Sequence, residues 1–543
     1  MKKLSGRGVY GAVAIGTASV FRRHCTSVCC THIDDTEGEI KRAQAAKELA
    51  VSQLSEIYEK VSCEAGEAAA QIIELHMMML EDDDYNKSIE SIIRTQKVNA
   101  EYAVKLTCDS FSKMFSSMED NYMQGRAADV KDISGRLIGC LSGNGYESTD
   151  SAEQLIICAD DLAPSETALL DKSRVLAFVT ASGSVNSHTA ILAAGMNIPA
   201  VVNVGDDLLN LVRDGDRLIV DGGTGDIIIG ADEQTEREYF LKGEEYARRK
   251  ALLLELKGKP DMTKDGRKIN IFANISSTNG ISAALENDAG GIGLFRSEFL
   301  FLESSSYPTE EKQFTAYRQV LESMKGKKVI IRTLDIGADK RADYFQLERE
   351  ENPALGLRAV RLCLKRRDIF ITQLRALYRA SVYGKLSIMF PMITSVSEVE
   401  KCLEACEEAK RGLKAEGIPY SGDVMLGIMI ETPAAAVISD LLAPLVDFFS
   451  VGTNDLTQYT LACDRQNPAL EEFADTRHEA VMRLIRLSAE NAHGCGIKIG
   501  ICGELAADTS LTENFIRMGI DELSVSPPYI LNVREKVRSL DLS

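Results

Sequence analysis

The chain reads as a multidomain α/β protein, with a C-terminal TIM (β/α)8 barrel preceded by a small α/β domain into which an α-helical bundle is inserted. Three observations predict this. After residue 261, eight short apolar runs alternate with helical stretches. Before Pro164 there is no proline at all, which permits long helices. Strand-like segments flank the proline-free helical stretch on both sides.

Taken in order, Val13-Ala-Ile-Gly supplies a first strand, and residues from about 35 to 142 are expected to be helical. There Ile89, Ile92 and Ile93, then Phe111, Met114 and Phe115, then Val130, Ile133 and Leu137 recur at three-and-four spacing, the mark of amphipathic helices packed as a bundle. Leu155-Ile-Ile-Cys, Val175-Leu-Ala-Phe-Val, Ala200-Val-Val and Arg217-Leu-Ile-Val continue the α/β domain. The predicted boundaries are 1–22 with 146–230 for that domain, 23–145 for the bundle, 231–260 for a charged helical linker and 261–543 for the barrel. The eight barrel runs are Ile269–Ala273, Gly291–Phe295, Val329–Ile331, Ser387–Phe390, Met425–Ile430, Asp447–Val451, Ile497–Ile501 and Glu522–Val525.

Composition narrows the function classes. The net charge is −19, which argues against binding a phosphate backbone as the main task. Thirteen cysteines show no paired CxxC spacing, and the closest cluster, Cys25, Cys29 and Cys30, has no matching set for zinc, so reduced thiols are expected. No apolar stretch reaches the length of a membrane span, and Met1-Lys-Lys leads into no signal-like core. A cytoplasmic location without membrane insertion is the expectation.

In parallel α/β folds, ligands sit beyond the carboxyl ends of strands. Here those ends carry Asn274, Arg296, Arg332, Glu431, Asn454 with Asp455, and Cys502 with Glu504. Arg296, Arg332, Lys340 and Arg465 supply forked and point-charge donors suited to a phosphate and a carboxylate, so a small phosphorylated acid is the expected substrate. Glu431 and Asp455 are hard oxygen donors able to share a magnesium ion whose other positions go to water and substrate. Cys502 is either a small buried hydrophobe or a proton donor. Gly290-Gly-Ile-Gly lacks the full spacing of a dinucleotide fingerprint.

Histidine is scarce, and His188 closes the polar turn Gly183-Ser-Val-Asn-Ser-His-Thr before the helix-like Ala190-Ile-Leu-Ala-Ala. Asn186 or Ser187 is a natural N-cap there, and a phosphoryl group on an imidazole in the first helical turn would face free amides and the positive dipole end. A capping or core histidine is the competing reading.

Together these residues resemble enzyme I of the bacterial phosphoenolpyruvate-dependent sugar phosphotransferase system, over almost the whole chain. The motifs are Gly291 to Phe299, Arg332 to Lys340, Glu431-Thr-Pro-Ala, Gly452-Thr-Asn-Asp-Leu-Thr-Gln-Tyr, Asp464-Arg and Cys502-Gly-Glu-Leu-Ala. In the front half they are Pro164-Ser-Glu-Thr, Asn197-Ile-Pro-Ala, Glu74-Leu-His-Met-Met-Met-Leu-Glu-Asp and Ala127-Ala-Asp-Val. The resemblance implies that Glu431 and Asp455 bind Mg2+, and that Arg296, Arg332, Lys340, Asn454 and Arg465 hold phosphoenolpyruvate. It further implies that Cys502 protonates the enolpyruvate carbon and that His188, in a swivelling phosphohistidine domain, passes its phosphoryl group to the phosphocarrier protein HPr. His76 and Met78 belong to the part that resembles the HPr-docking surface. A homodimer formed through the barrel is also implied. The chain departs from the family pattern at Ser184, Asn186 and Ala194 around the histidine, and at Gly125, Ser297 and Glu479 elsewhere. A regulatory phosphoenolpyruvate and HPr sensor with weak turnover is the alternative those departures raise. A dikinase-type enzyme is a further one, although no glycine-rich nucleotide loop is present.

Overall fold

The computed structural model describes the chain apart from residues 22–27, 66, 117–120, 143–153, 163–173, 184–188, 191–192, 194–197, 206, 279, 303, 305, 338–342, 349 and 465–466. It divides into two compact units, Met1–Lys250 and Ala251–Ser543.

In the first unit five helices, α1 (Thr36–Ala65), α2 (Glu67–Glu81), α3 (Asp83–Gln96), α4 (Ala100–Ser116) and α5 (Asn121–Leu141), occupy the stretch expected to be helical. Their starts and stops have local causes. Asp82 caps α3, its carboxylate accepting the Asp84 and Tyr85 amides at 3.0 and 2.9 Å, and Lys97 ends that helix in the left-handed region at φ 51°. Ile89, Ile93, Val130, Ile133 and Leu137 are buried in one core with Leu54, Ile73 and Leu80. Met114, expected on the apolar face, is 44% exposed.

The bundle follows three strands rather than the one expected: β1 (Lys2–Ser5), β2 (Arg7–Gly8) and β3 (Val13–Phe21). With β4 (Leu155–Ala159), β5 (Val175–Thr180), β6 (Ala200–Val202), β7 (Arg217–Asp221) and β8 (Asp226–Ile229) they form a mixed sheet ordered β1-β8-β7-β3-β4-β5-β6-β2. Short, charged strands gave no apolar run to read. β1 begins Lys2-Lys3 and pairs antiparallel with β8 as an edge, where Lys3 meets Asp226 at 2.8 Å. The linker stretch holds one helix, Glu233–Leu254, with no buried residue.

In the second unit eight parallel strands close on themselves: β9 (Asn270–Ile275), β10 (Ile292–Arg296), β11 (Lys328–Arg332), β12 (Lys385–Phe390), β13 (Met425–Ile430), β14 (Phe448–Val451), β15 (Lys498–Ile501) and β16 (Glu522–Val525). The strands read as unbroken apolar runs because both faces are covered. In β11, Val329 and Ile331 pack in the large outer core while Ile330 joins Leu294, Met389, Met429, Phe448 and Cys502 inside the barrel. Among the described residues no helix is long and apolar enough to cross a membrane.

Candidate active site

Strand register brings the ends of β10, β11, β13, β14 and β15 to one face of the barrel, since Arg296 lies level with Arg332, Ile430 with Val451 and Val451 with Ile501. Arg332 ends β11 only 5% exposed, and its guanidinium is ion-paired with Glu298 and with Asp335, the latter at 2.9 Å. Its Nε is buried with no hydrogen-bond acceptor among the described residues, which leaves one N–H donor for an incoming anion. Arg296, at the end of β10, is exposed and touches Ser276 Oγ at 3.4 Å.

Glu431 directly follows β13 and is almost wholly buried, its Oε1 accepting the Met392 amide at 2.6 Å. Burial first, then the neighbouring Asp455 and Asp335 carboxylates, push it up to about 8, against the pull of Arg332. A carboxylate under that pressure gains from any cation that joins it. Asp455 lies in the first turn of the helix Thr453–Leu461 rather than at a strand end, so the positive end of the helix dipole favours its charge. Gly452 makes the approach possible: a Cβ there would stand 2.9 Å from Glu431 Oε2. Asn454, beside it, donates to Glu504 Oε1 at 3.3 Å.

Cys502 follows β15, buried, with its Sγ donating to the Val451 carbonyl at 3.5 Å. Burial pushes its thiol up to about 11, and the charges of Glu431, Arg332 and Arg296 all act on it. The thiol therefore keeps its proton at neutral pH. Asn274 braces this corner, donating to the Cys502 and Ser524 carbonyls at 2.8 and 2.9 Å.

The barrel face thus brings together Arg296, Arg332, Glu431, Asn454, Asp455 and Cys502. Lys340, Arg465 and His188, together with the Ser184, Asn186 and Ala194 departures, lie outside the described residues. In the first unit, His76 does not reach the surface: it is 1% exposed, with Nε2 3.3 Å from Asp129 and Nδ1 3.4 Å from Asp132 on α5. It sits three residues after Ile73 and four before Leu80, on the buried face of α2, whereas Met78 points outward at 64% exposure.

Three family models match, described as PEP-utilising enzyme, PEP-binding domain (residues 250–542), N-terminal (5–126) and mobile domain (151–225). A phosphoenolpyruvate-protein phosphotransferase of Priestia megaterium is 41% identical over 99% of this chain and 94% of its own. The chain belongs to the phosphoenolpyruvate-protein phosphotransferase family. Members from Bacillus subtilis, 41% identical over 99% of this chain and 95% of theirs, and Latilactobacillus sakei, 42% identical over 100% and 94%, agree.

Within this family member the motif residues do not stand alone. Arg358 and Asp335, neither of which stands at a strand end, are 2% exposed and joined at 2.9 Å, and Arg358 reaches Asp455 at 3.6 Å. Asp335 lies within the Arg332 to Lys340 motif, so a signal existed for it. Arg358 follows no apolar run and had none. Glu431 and Asp455 present hard oxygen donors of the kind magnesium takes, and among the described residues no third His, Cys, Asp or Glu joins them in a metal-holding group.

Proposed function

We propose that this protein transfers the phosphoryl group of phosphoenolpyruvate to its own His188 and then to the histidine of the phosphocarrier HPr, releasing pyruvate. The observation that carries this reading is the barrel-mouth arrangement of buried Arg332 with an unsatisfied Nε, the crowded Glu431 and Asp455 carboxylates, and the protonated Cys502 thiol. Arg296, Arg332, Lys340, Asn454 and Arg465 bind the phosphate and carboxylate of the substrate. Glu431 and Asp455 would hold magnesium, which when bound withdraws charge from the transferring phosphoryl group.

A neutral imidazole nitrogen of His188 attacks phosphorus while the bond from phosphorus to the enol oxygen breaks, and the electron pair leaves with the enolate. Cys502 delivers its proton to the methylene carbon, which becomes the methyl group of pyruvate, and solvent reprotonates the thiolate. The phosphohistidine-bearing domain, 1–22 with 146–230, carries the group to the bundle, 23–145, where the exposed Met78 contributes to HPr docking and His76 supports the helix from beneath. Residues 261–543 serve both substrate binding and dimerisation. A barrel dimer would cover apolar side chains such as Val437 and Leu441, 59% and 57% exposed. The reaction takes place in the cytoplasm.

The test is pyruvate release from phosphoenolpyruvate with magnesium, coupled to lactate dehydrogenase. Turnover that requires added HPr supports the proposal. Magnesium-dependent binding of phosphoenolpyruvate with no pyruvate formed points instead to the sensor.

A further inference from the structure

We propose that Arg358 is a positioning residue for Asp455, held in a strained bend whose geometry serves that contact. This rests on the reading of Asp455 as a magnesium-holding carboxylate.

The guanidinium has three partners. Nη2 donates to Asp335 Oδ1 at 2.9 Å, Nη1 donates to the Tyr459 hydroxyl at 3.1 Å, and Nη1 stands 3.6 Å from Asp455 Oδ1. Tyr459 belongs to the same helix as Asp455, one turn on, and its hydroxyl donates to the Ala354 carbonyl at 2.5 Å. Arg358 therefore grips the Asp455 helix at two points and ties it to the segment before itself.

The backbone is bent to make this possible. Ala359, the residue after Arg358, is fully buried at φ 50°, a conformation an alanine adopts at a cost, and its amide donates to the Ile336 carbonyl at 3.0 Å. Facing it, Gly337 has φ 122°, and a Cβ there would stand 2.4 Å from the Arg358 Cβ. Two unusual backbone positions thus converge on one side chain. Burial alone does not require them, since a long cation is cheaper to leave in water.

Charge decides the direction of the effect. Arg332 and Arg358 share Asp335, and Glu298, Glu431 and Asp455 stand around them, so a metal at Asp455 meets a cluster with more carboxylates than guanidiniums and repulsion from Arg358 is offset. What the contact supplies is orientation. Removing a group that orients a metal-holding side chain typically lowers metal affinity about ten- to a hundredfold.

Mn2+ binding to the full chain, titrated by electron paramagnetic resonance, tests this without reference to turnover. Arg358→Met is expected to bind Mn2+ at least about tenfold more weakly than the unaltered chain. Arg358→Lys, which keeps the charge but loses the fork, should fall in between. Asp455→Asn separates the two claims. If it binds Mn2+ as the unaltered chain does, the metal reading falls and this proposal with it. If Asp455→Asn is weakened but Arg358→Met binds as well as the unaltered chain, or more tightly, the positioning role alone is overturned. Should Arg358→Met not fold, undiminished affinity in Arg358→Lys overturns it equally.

Discussion

Cys502 is asked to give up a proton from a thiol that burial holds up near 11. Such a group is protonated across the neutral range, which suits an acid and not a nucleophile. Cys502→Ala is expected to slow pyruvate formation by roughly a hundred- to ten-thousandfold. With phosphoenolpyruvate carrying tritium at one defined methylene position, reaction in deuterated water should give pyruvate with a chiral methyl group of a single configuration from the unaltered chain, and a racemic one from Cys502→Ala. Chiral-methyl analysis of the product would read this, and a single configuration from the variant would remove Cys502 from the role. At the same scale, much of the site was legible: Arg296, Arg332, Glu431 and Cys502 each end or follow an apolar run, and that position alone marked them. Arg358 was not legible, because its place depends on the backbone dihedral of Ala359 and on the missing Cβ of Gly337, neither of which has a periodic signature. The burial of His76 was legible in principle, since Ile73, His76 and Leu80 fall on one helical face.

Among the elements, the turns after β14 and β15 are packed too closely for side chains. A Cβ on Gly503 would lie 1.8 Å from Thr453 Oγ1, and one on Gly452 would press on Glu431. Gly452→Ala should reduce turnover by about a hundredfold, through displacement of Glu431 by a fraction of an ångström or more, while the thermal transition remains cooperative. Near-normal turnover in that variant would mean Glu431 has no fixed position to lose. Barrel strands were legible because parallel strands buried on both faces leave continuous apolar runs. The strands β1 and β2 were not, since short edge strands pair through backbone groups and carry little pattern. At the other end of the barrel, β16 begins with Glu522, which burial pushes up from its ordinary 4.5 to about 7 despite Lys328 and Lys498 nearby. Its carboxyl is protonated in the fold and ionised in the unfolded chain between those values. Unfolding then releases a proton, so stability falls as pH rises from 4.5 to 7, by about 3 kcal/mol for this group alone. Urea unfolding of Glu522→Gln across that window should show a flatter pH dependence than the unaltered chain, and an unchanged slope would assign it elsewhere.

On the scale of the whole molecule, two compact units meet in sequence near residue 250, inside a helix with no buried residue. That helix is held by half-buried side chains and by ion pairs, Lys242 with Asp221 and Arg217 with Glu236, that lie before residue 250, so brief proteolysis is expected to cut first just after them and leave a barrel fragment that still binds Mn2+. On the proposed function, division of labour follows from the same organisation: the barrel face would handle substrate, and His188, the proposed phosphoryl acceptor, belongs to the other unit. The sequence conveyed that division through its order of motifs, but it conveyed nothing of how Arg358 and Asp335 support the barrel face, because ion pairs between distant loops leave no spacing to read.

Phosphoryl transfer to His188 is tested directly by intact-mass spectrometry after adding phosphoenolpyruvate and magnesium. One added phosphoryl group is expected on the unaltered chain, lost on addition of HPr and absent from His188→Ala. A chain that gains no mass, or a His188→Ala variant that still gains it, would contradict the account.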